Sequence, residues 1–281
     1  MLYQTFLVPS MGESSQAELV CYLVENMEDV RPTETRPFVL ICPGGGYSIV
    51  SKREADPIAF EYLAAGYHVG ILYYSCHPAL YPTALKEVAW SIATIRRNAR
   101  EWFVNQNQII VSGFSAGGHL AASFATTWNT AEGLEEYNDD RELIRPNGLI
   151  LSYPVITSGE FAHKESFENL LGNQYESEKQ NHSLEFLVNK ETPKTFLWHT
   201  FEDDTVPVEN ALLFAQALRK KEIPFELHIY PVGGHGISLA DERTGTTSME
   251  DTRIVPECQG WMDLSIQWIK SQIEGKFLKK V

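Results

Sequence analysis

The chain has 281 residues, 43% apolar and 21% charged, proportions of an ordinary soluble globular protein rather than of a disordered or membrane-embedded one. Its formal charge of −14, with no Lys/Arg cluster to interrupt the field, argues against nucleic acid as a partner. Cys21, Cys42, Cys76 and Cys258 form no C-x-x-C pair, so neither a zinc site nor a disulfide framework is signalled and buried reduced thiols are expected.

Short β-type runs open the chain at Thr5 to Val8, Ala17 to Val24 and Phe38 to Cys42. They are expected to form an antiparallel hairpin and the first central strand. The pattern then alternates: helix Arg53 to Ala65, strand Tyr67 to Tyr74, helix Pro82 to Arg97, strand Gln108 to Gly113, helix Ala116 to Thr127. In the second of these helices Leu85, Val88, Ala89, Ile92 and Ile95 recur at helical spacing and predict one buried face. Strand Asn147 to Tyr153, strand Thr195 to His199, helix Val208 to Lys220, strand Phe225 to Tyr230 and helix Gly260 to Ile273 complete the series. Alternation of this kind predicts an α/β fold, a mostly parallel central sheet with helices on both faces. Ligands in such sheets bind beyond the carboxyl ends of the strands.

A single domain over residues 1–281 is expected, with one departure. Ile156 to Glu191 is polar and mixed in character, and is expected to form a short cap-like insertion over the site. No apolar run reaches the length of a bilayer-spanning helix. Met1 to Ser10 lacks a basic region followed by a long apolar stretch, so no membrane partner and a cytoplasmic location are expected. The oligomeric state is left open, a homo-oligomer included.

Gly113-Phe114-Ser115-Ala116-Gly117 matches G-x-S-x-G where a strand meets a helix, the setting of a nucleophile elbow. The turn strains the serine backbone, and a Cβ two positions away on either side would crowd neighbouring elements. Glycines at 113, 117 and 118 meet that demand. A serine hydroxyl needs a base within hydrogen-bond reach, and the base needs a third group to fix its tautomer. Glu202, Asp203 and Asp204 follow the strand Thr195 to His199, and His235 sits in Gly233-Gly234-His235-Gly236 after the strand Phe225 to Tyr230. The residues alone leave the three acids open. His77, after the strand ending at Tyr74, is a weaker substrate-contact candidate.

A tetrahedral intermediate needs donors for its oxyanion. Ala116 supplies the backbone N–H after the serine, and Pro43-Gly44-Gly45-Gly46-Tyr47 can turn further N–H groups towards one spot. A phosphate-binding loop is the competing reading of these glycines, but neither G-x-G-x-x-G nor Gly-Lys-Ser/Thr follows.

With these residues placed, the chain resembles the carboxylesterase and acetyl-esterase branch of the α/β hydrolases, in particular bacterial acetyl-xylan-esterase-like and feruloyl-esterase-like enzymes. The resemblance also runs through Ser166-Phe167-Glu168-Asn169-Leu170-Leu171-Gly172, Trp198-His199-Thr200 with Asp203 and Val206-Pro207, and Gly234-His235-Gly236. It implies an α/β-hydrolase fold and a triad of Ser115, Asp203 and His235, choosing Asp203 because it stands three residues before the Val-Pro pair. It further implies that Gly45 and Gly46 join Ala116 in the oxyanion hole. Pro43 stands where a related lipase-like branch has histidine, so that branch's preference for plain acyl chains is not carried over.

The expected chemistry is hydrolysis of short acyl esters, acetyl on a sugar or oligosaccharide, through an acyl-enzyme and without metal or organic cofactor. The alternatives are an amidase, peptidase or formamidase using the same triad, and a ligand-binding homologue without catalysis.

Overall fold

The computed structural model describes residues 1–30, 32–130, 133–246 and 253–276. The strands are β1 (Leu2–Leu7), β2 (Glu18–Leu23), β3 (Arg36–Cys42), β4 (His68–Tyr73), β5 (Val104–Phe114), β6 (Gly148–Ser152), β7 (Thr195–Thr200) and β8 (Phe225–Tyr230). The α-helices are α1 (Asp56–Ala64), α2 (Thr83–Arg97), α3 (Ser115–Thr127), α4 (Lys164–Leu171), α5 (Tyr175–Glu178), α6 (Glu209–Lys220) and α7 (Trp261–Trp268).

The strands form one sheet in the order β1-β2-β4-β3-β5-β6-β7-β8. β2 pairs antiparallel with β1 and with β4. The remaining neighbours pair in parallel. From β3 the chain steps to one side to make β4 and then returns to lay β5 on the other side of β3. That reversal is a topological switch point, where diverging connections leave a crevice beyond the carboxyl ends of the two strands. Cys42 and Gly113 are paired there, so β3 and β5 end side by side.

Side-chain alternation splits the strands between two apolar layers. Phe38, Leu40, Ile109, Val111 and Leu197 pack with Leu85, Val88, Ala89, Ile92 and Ile95 of α2, Phe124 of α3 and Phe214 of α6. Val39, Ile41, Ile110, Phe196 and Trp198 pack on the opposite face with Tyr62 of α1 and Trp261 and Trp268 of α7. Each large side chain taken out of water contributes about 1.5–3 kcal/mol. A one-residue slip would exchange the faces of a whole strand, so this two-sided burial holds the register.

The expected helix Arg53 to Ala65 divides into a 3-10 turn, Lys52–Glu54, and α1, because Pro57 suits the first turn of a new helix. The division leaves Glu54 buried, at 3% exposure. β5 begins four residues before the expected Gln108; its early part, Asn105 to Asn107, is polar and exposed or half-buried and carries no apolar signal. The last helix is regular to Trp268 and finishes as a π turn, Ile269–Ile273. Cys21, Cys42 and Cys258 are buried free thiols, whereas Cys76 is half-buried. Among the described residues no helix is long and apolar enough to cross a membrane.

α3 starts in close contact with the end of β3. A Cβ on Gly117 would lie 2.1 Å from the Cys42 carbonyl oxygen and 2.2 Å from that of Pro43, both backbone atoms. Gly117→Ala is therefore expected to lower the free energy of unfolding by about 3 kcal/mol or more. Urea denaturation measures this, and a variant as stable as wild type would contradict so tight an approach.

Candidate active site

Ser115 lies at the junction of β5 and α3 with φ +52°, a left-handed conformation that is strained for a residue with a side chain. A Cβ on Gly113 would meet the Gly117 carbonyl oxygen at 2.3 Å, so the turn closes only over bare backbone. The Ser115 Oγ is 2.8 Å from Nε2 of His235. On the other side of the ring, Nδ1 is 2.7 Å from Oδ2 of Asp203.

Asp203 is 4% exposed and receives four contacts. Its Oδ1 accepts the N–H groups of Thr205 at 3.1 Å and Val206 at 2.9 Å. Its Oδ2 accepts from His235 and lies 3.3 Å from Nε2 of His199, which also donates to the Val206 carbonyl at 2.8 Å. Burial alone would push the Asp203 carboxyl up. The hydrogen bonds from His199 and His235, the attraction of His235 and the Val206 N–H outweigh it and hold the pKa well below the usual carboxylate range. An ionised carboxylate only accepts, so the His235 proton sits on Nδ1 and Nε2 is left to accept the serine hydroxyl.

The other two acids are both exposed. Glu202 accepts the N–H of Gly233 at 3.1 Å, tying its loop to the histidine loop. Among the described residues Asp204 makes a hydrogen bond with its neighbour Thr205 alone, at 3.4 Å. Asp203 alone of the three meets His235.

The loop after β3 is held by its carbonyls. Tyr74 Oη donates to Pro43 O at 2.8 Å, and the Ser51 N–H to Gly44 O at 2.9 Å. Gly45 O accepts from the N–H groups of Ser48 and Ile49 at 3.0 and 3.1 Å, and Gly46 O from Nδ2 of Asn169 at 2.9 Å. In a trans peptide the next N–H points away from the carbonyl before it. Fixing Gly44 O and Gly45 O therefore fixes the N–H directions of Gly45 and Gly46, neither of which meets an acceptor among the described residues. The Gly44 N–H, by contrast, is taken by Oε2 of Glu54 at 2.8 Å. Gly45 has φ +126°, and a Cβ there would lie 2.1 Å from Ile49 O, so no other residue fits. Ala116 is in the first turn of α3, where helix geometry leaves N–H groups without a partner.

Sequence reasoning gave no role to the side chains of Tyr47, His119, His163 and Asn169 around this cleft. Tyr47 Oη donates to Nδ1 of His119 at 2.9 Å, and His119 Nε2 to the His182 carbonyl at 3.0 Å. Burial pushes the His119 pKa down to about 3, so that ring stays neutral. α4 packs through buried Phe167, Leu170 and Leu171 and brings Asn169 to the glycine loop. His163 is half-buried, bonded at Nδ1 to Ser166 Oγ at 2.8 Å; burial, then the neighbouring His235, lower its pKa. His77 is exposed and reaches the loop only by its backbone N–H, at 2.7 Å from Tyr47 O. The motif Ser166 to Gly172 was visible in the sequence, but nothing there located its contact with Gly46.

A serine bonded to a histidine at the switch point of this strand order is the arrangement of an α/β hydrolase, the fold class to which the chain belongs. Residues 27–218 match the family model described as BD-FAE, and the chain is a member of that family. It is similar to the carboxylesterase Cest-2923 of Lactobacillus plantarum, with a TM-score of 0.86 and 27% identity over 97% of this chain and 98% of that one. The acetyl ester-xyloside bifunctional hydrolase of Caldicellulosiruptor lactoaceticus gives a TM-score of 0.78 at 35% identity, covering 91% of this chain and 88% of that one. An acetylxylan esterase of Xylanibacter ruminicola is 29% identical over 90% of this chain, and endo-1,4-beta-xylanase B of Butyrivibrio fibrisolvens is 37% identical over 77%. The chain spans only 49% and 36% of the lengths of those two proteins.

The depressed pKa of Asp203 gives a pH signature. A carboxyl whose folded pKa lies below its unfolded value, about 3.9, stabilises fully above that value and loses its contribution as pH falls through the folded one. Urea unfolding should give wild type an advantage over Asp203→Asn that is constant above about pH 5 and shrinks below about pH 4. An advantage that grows on acidification would contradict this environment.

Proposed function

We propose that the protein is a carboxylic ester hydrolase working through an acyl-enzyme on Ser115, with His235 as general base and Asp203 as the group that orients it. The observation that carries this reading is the continuous chain from Ser115 Oγ to His235 Nε2 at 2.8 Å and from His235 Nδ1 to Asp203 Oδ2 at 2.7 Å.

His235 Nε2 takes the hydroxyl proton as Ser115 Oγ bonds to the acyl carbon, and the carbonyl electrons move to the oxygen. The N–H groups of Gly45, Gly46 and Ala116 face that oxyanion; losing one such donor costs about 2.7–4 kcal/mol of transition-state stabilisation. As the tetrahedral species collapses, the alkoxide leaves with the proton from His235. Water, deprotonated by the same nitrogen, then attacks the acyl-enzyme, and Ser115 regains its proton as the carboxylic acid departs.

The preferred substrate is a short acyl ester, acetyl on a sugar or small oligosaccharide. Supporting this are the resemblance to an acetylxylan esterase and to an acetyl ester-xyloside hydrolase, and the polar side chains that α4 brings to the glycine loop. Residues 156–191 form a cap-like insertion within one catalytic domain, with Asn169 bonded to the glycine loop.

Ser115→Ala should lower turnover of p-nitrophenyl acetate by at least about 10⁴-fold in a folded protein. Asp203→Asn should cost about 10⁴-fold in kcat because the ring tautomer is lost, whereas Asp204→Asn should stay within about threefold; equal losses would refute the choice of acid. Acetylated xylose and xylo-oligosaccharides should be cleaved better than p-nitrophenyl esters longer than butyrate. Comparable cleavage of aminoacyl amides or N-formyl compounds would move the assignment to amide chemistry.

A further inference from the structure

Glu54 is a buried acid that the proposed chemistry does not use. Its Oε2 accepts the N–H of Gly44 at 2.8 Å, and its Oε1 accepts the hydroxyl of Tyr153 at 2.7 Å. The direction of the second bond follows from the other contact of that hydroxyl, which accepts the N–H of Ser238 at 3.0 Å. Burial, reinforced by the charge of Glu54, pushes the Tyr153 pKa well up, so the hydroxyl keeps its proton. Ser238 stands three residues after His235, and its Oγ donates at 2.9 Å to the carbonyl of Arg53, the residue before Glu54. The ring of Tyr153 meets that of His235 edge to face, with centroids 5.2 Å apart.

One carboxylate thus joins the loop that carries the oxyanion N–H groups to the loop that carries the base. Both bonds lie out of water, where hydrogen bonds are stiff and an unpaired partner is costly. Gly44 directly precedes Gly45, so a shift at its N–H passes to the peptide whose N–H faces the substrate. We propose that Glu54 is a positioning residue that keeps the glycine loop and the His235 loop in mutual register, acting through Gly44 on one side and through Tyr153 and Ser238 on the other. The inference rests on the assignment of Ser115 and His235 as reacting groups.

Glu54→Gln keeps the shape but places an amide donor against one of two donors, and Tyr153→Phe keeps the ring and removes the link; the second serves if the first does not fold. With p-nitrophenyl acetate each should lower kcat about 10–100-fold with KM within about threefold, since loop placement acts on the transition state. Affinity for methylboronic acid, whose tetrahedral adduct on the serine carries the oxyanion, should fall with kcat. The double variant should be no worse than the poorer single one, because both break one path. Hydrogen exchange reads the link without turnover: Glu54→Gln should raise amide exchange both in residues 43–51 and in residues 233–240. Folded variants with kcat within twofold of wild type, additive losses in the double variant, or faster exchange confined to one loop would overturn the proposal. A wild-type protein inactive on every ester, yet with exchange rising in both loops of Glu54→Gln, would remove the proposed function and leave the linkage standing.

Discussion

The site depends on a close approach of bare backbone: the first turn of α3 against the carbonyls of Cys42 and Pro43, where a Cβ on Gly117 would come to 2.1 Å. Because α3 follows β5 without a spacer, this approach sets the position of Ser115 and its left-handed backbone. It also brings the loop after β3 beside the serine; a Cβ on Gly44 would lie 2.9 Å from that of Ser115. Ser115 and the glycine loop, the proposed nucleophile and oxyanion donors, are thereby placed by strand order and one packing distance. The strain is borne by apolar layers on both faces of the sheet.

The remaining groups arrive on separate strands, and each is held by a bond to another loop. Asp203 is fixed by two N–H groups of its own turn and by His199, His235 by Asp203 and the edge contact with Tyr153. The glycines of the loop after β3 are fixed through their backbone, the carbonyls of the loop by Tyr74, its own turn and Asn169 and the Gly44 N–H by Glu54. Rigid donors aimed at the place where charge develops need no reorganisation during reaction.

Much of this was legible in the sequence. Alternating strands and helices implied the α/β architecture, and the carboxyl ends of the strands around the site fall within a residue of where they were expected. Ser115 announced itself through glycines that the backbone contacts explain. The acid was different: Glu202, Asp203 and Asp204 have the same chemistry at adjacent positions, so the residues alone left them open and only the family resemblance chose Asp203, the one that is buried in the structure and meets His235. Glu54 was invisible because it looks like one more charge at the start of an amphipathic helix. Its burial arises from the break before Pro57 and from partners 10 and 99 residues away along the chain. Asn169 lay in a noted motif, yet its partner, a glycine carbonyl 123 residues earlier, has no side chain to betray the contact.

The bond from Asn169 to Gly46 bears on how this protein can diversify. A segment that merely lay above the sheet could be exchanged as an independent cassette, leaving the backbone below intact. Here the segment donates a hydrogen bond to the backbone of the glycine loop and packs Phe167 against His119 of α3, with ring centroids 5.1 Å apart. On the proposed function, selectivity and turnover are therefore coupled rather than modular. A segment transplanted here would have to bring its own donor to the Gly46 carbonyl.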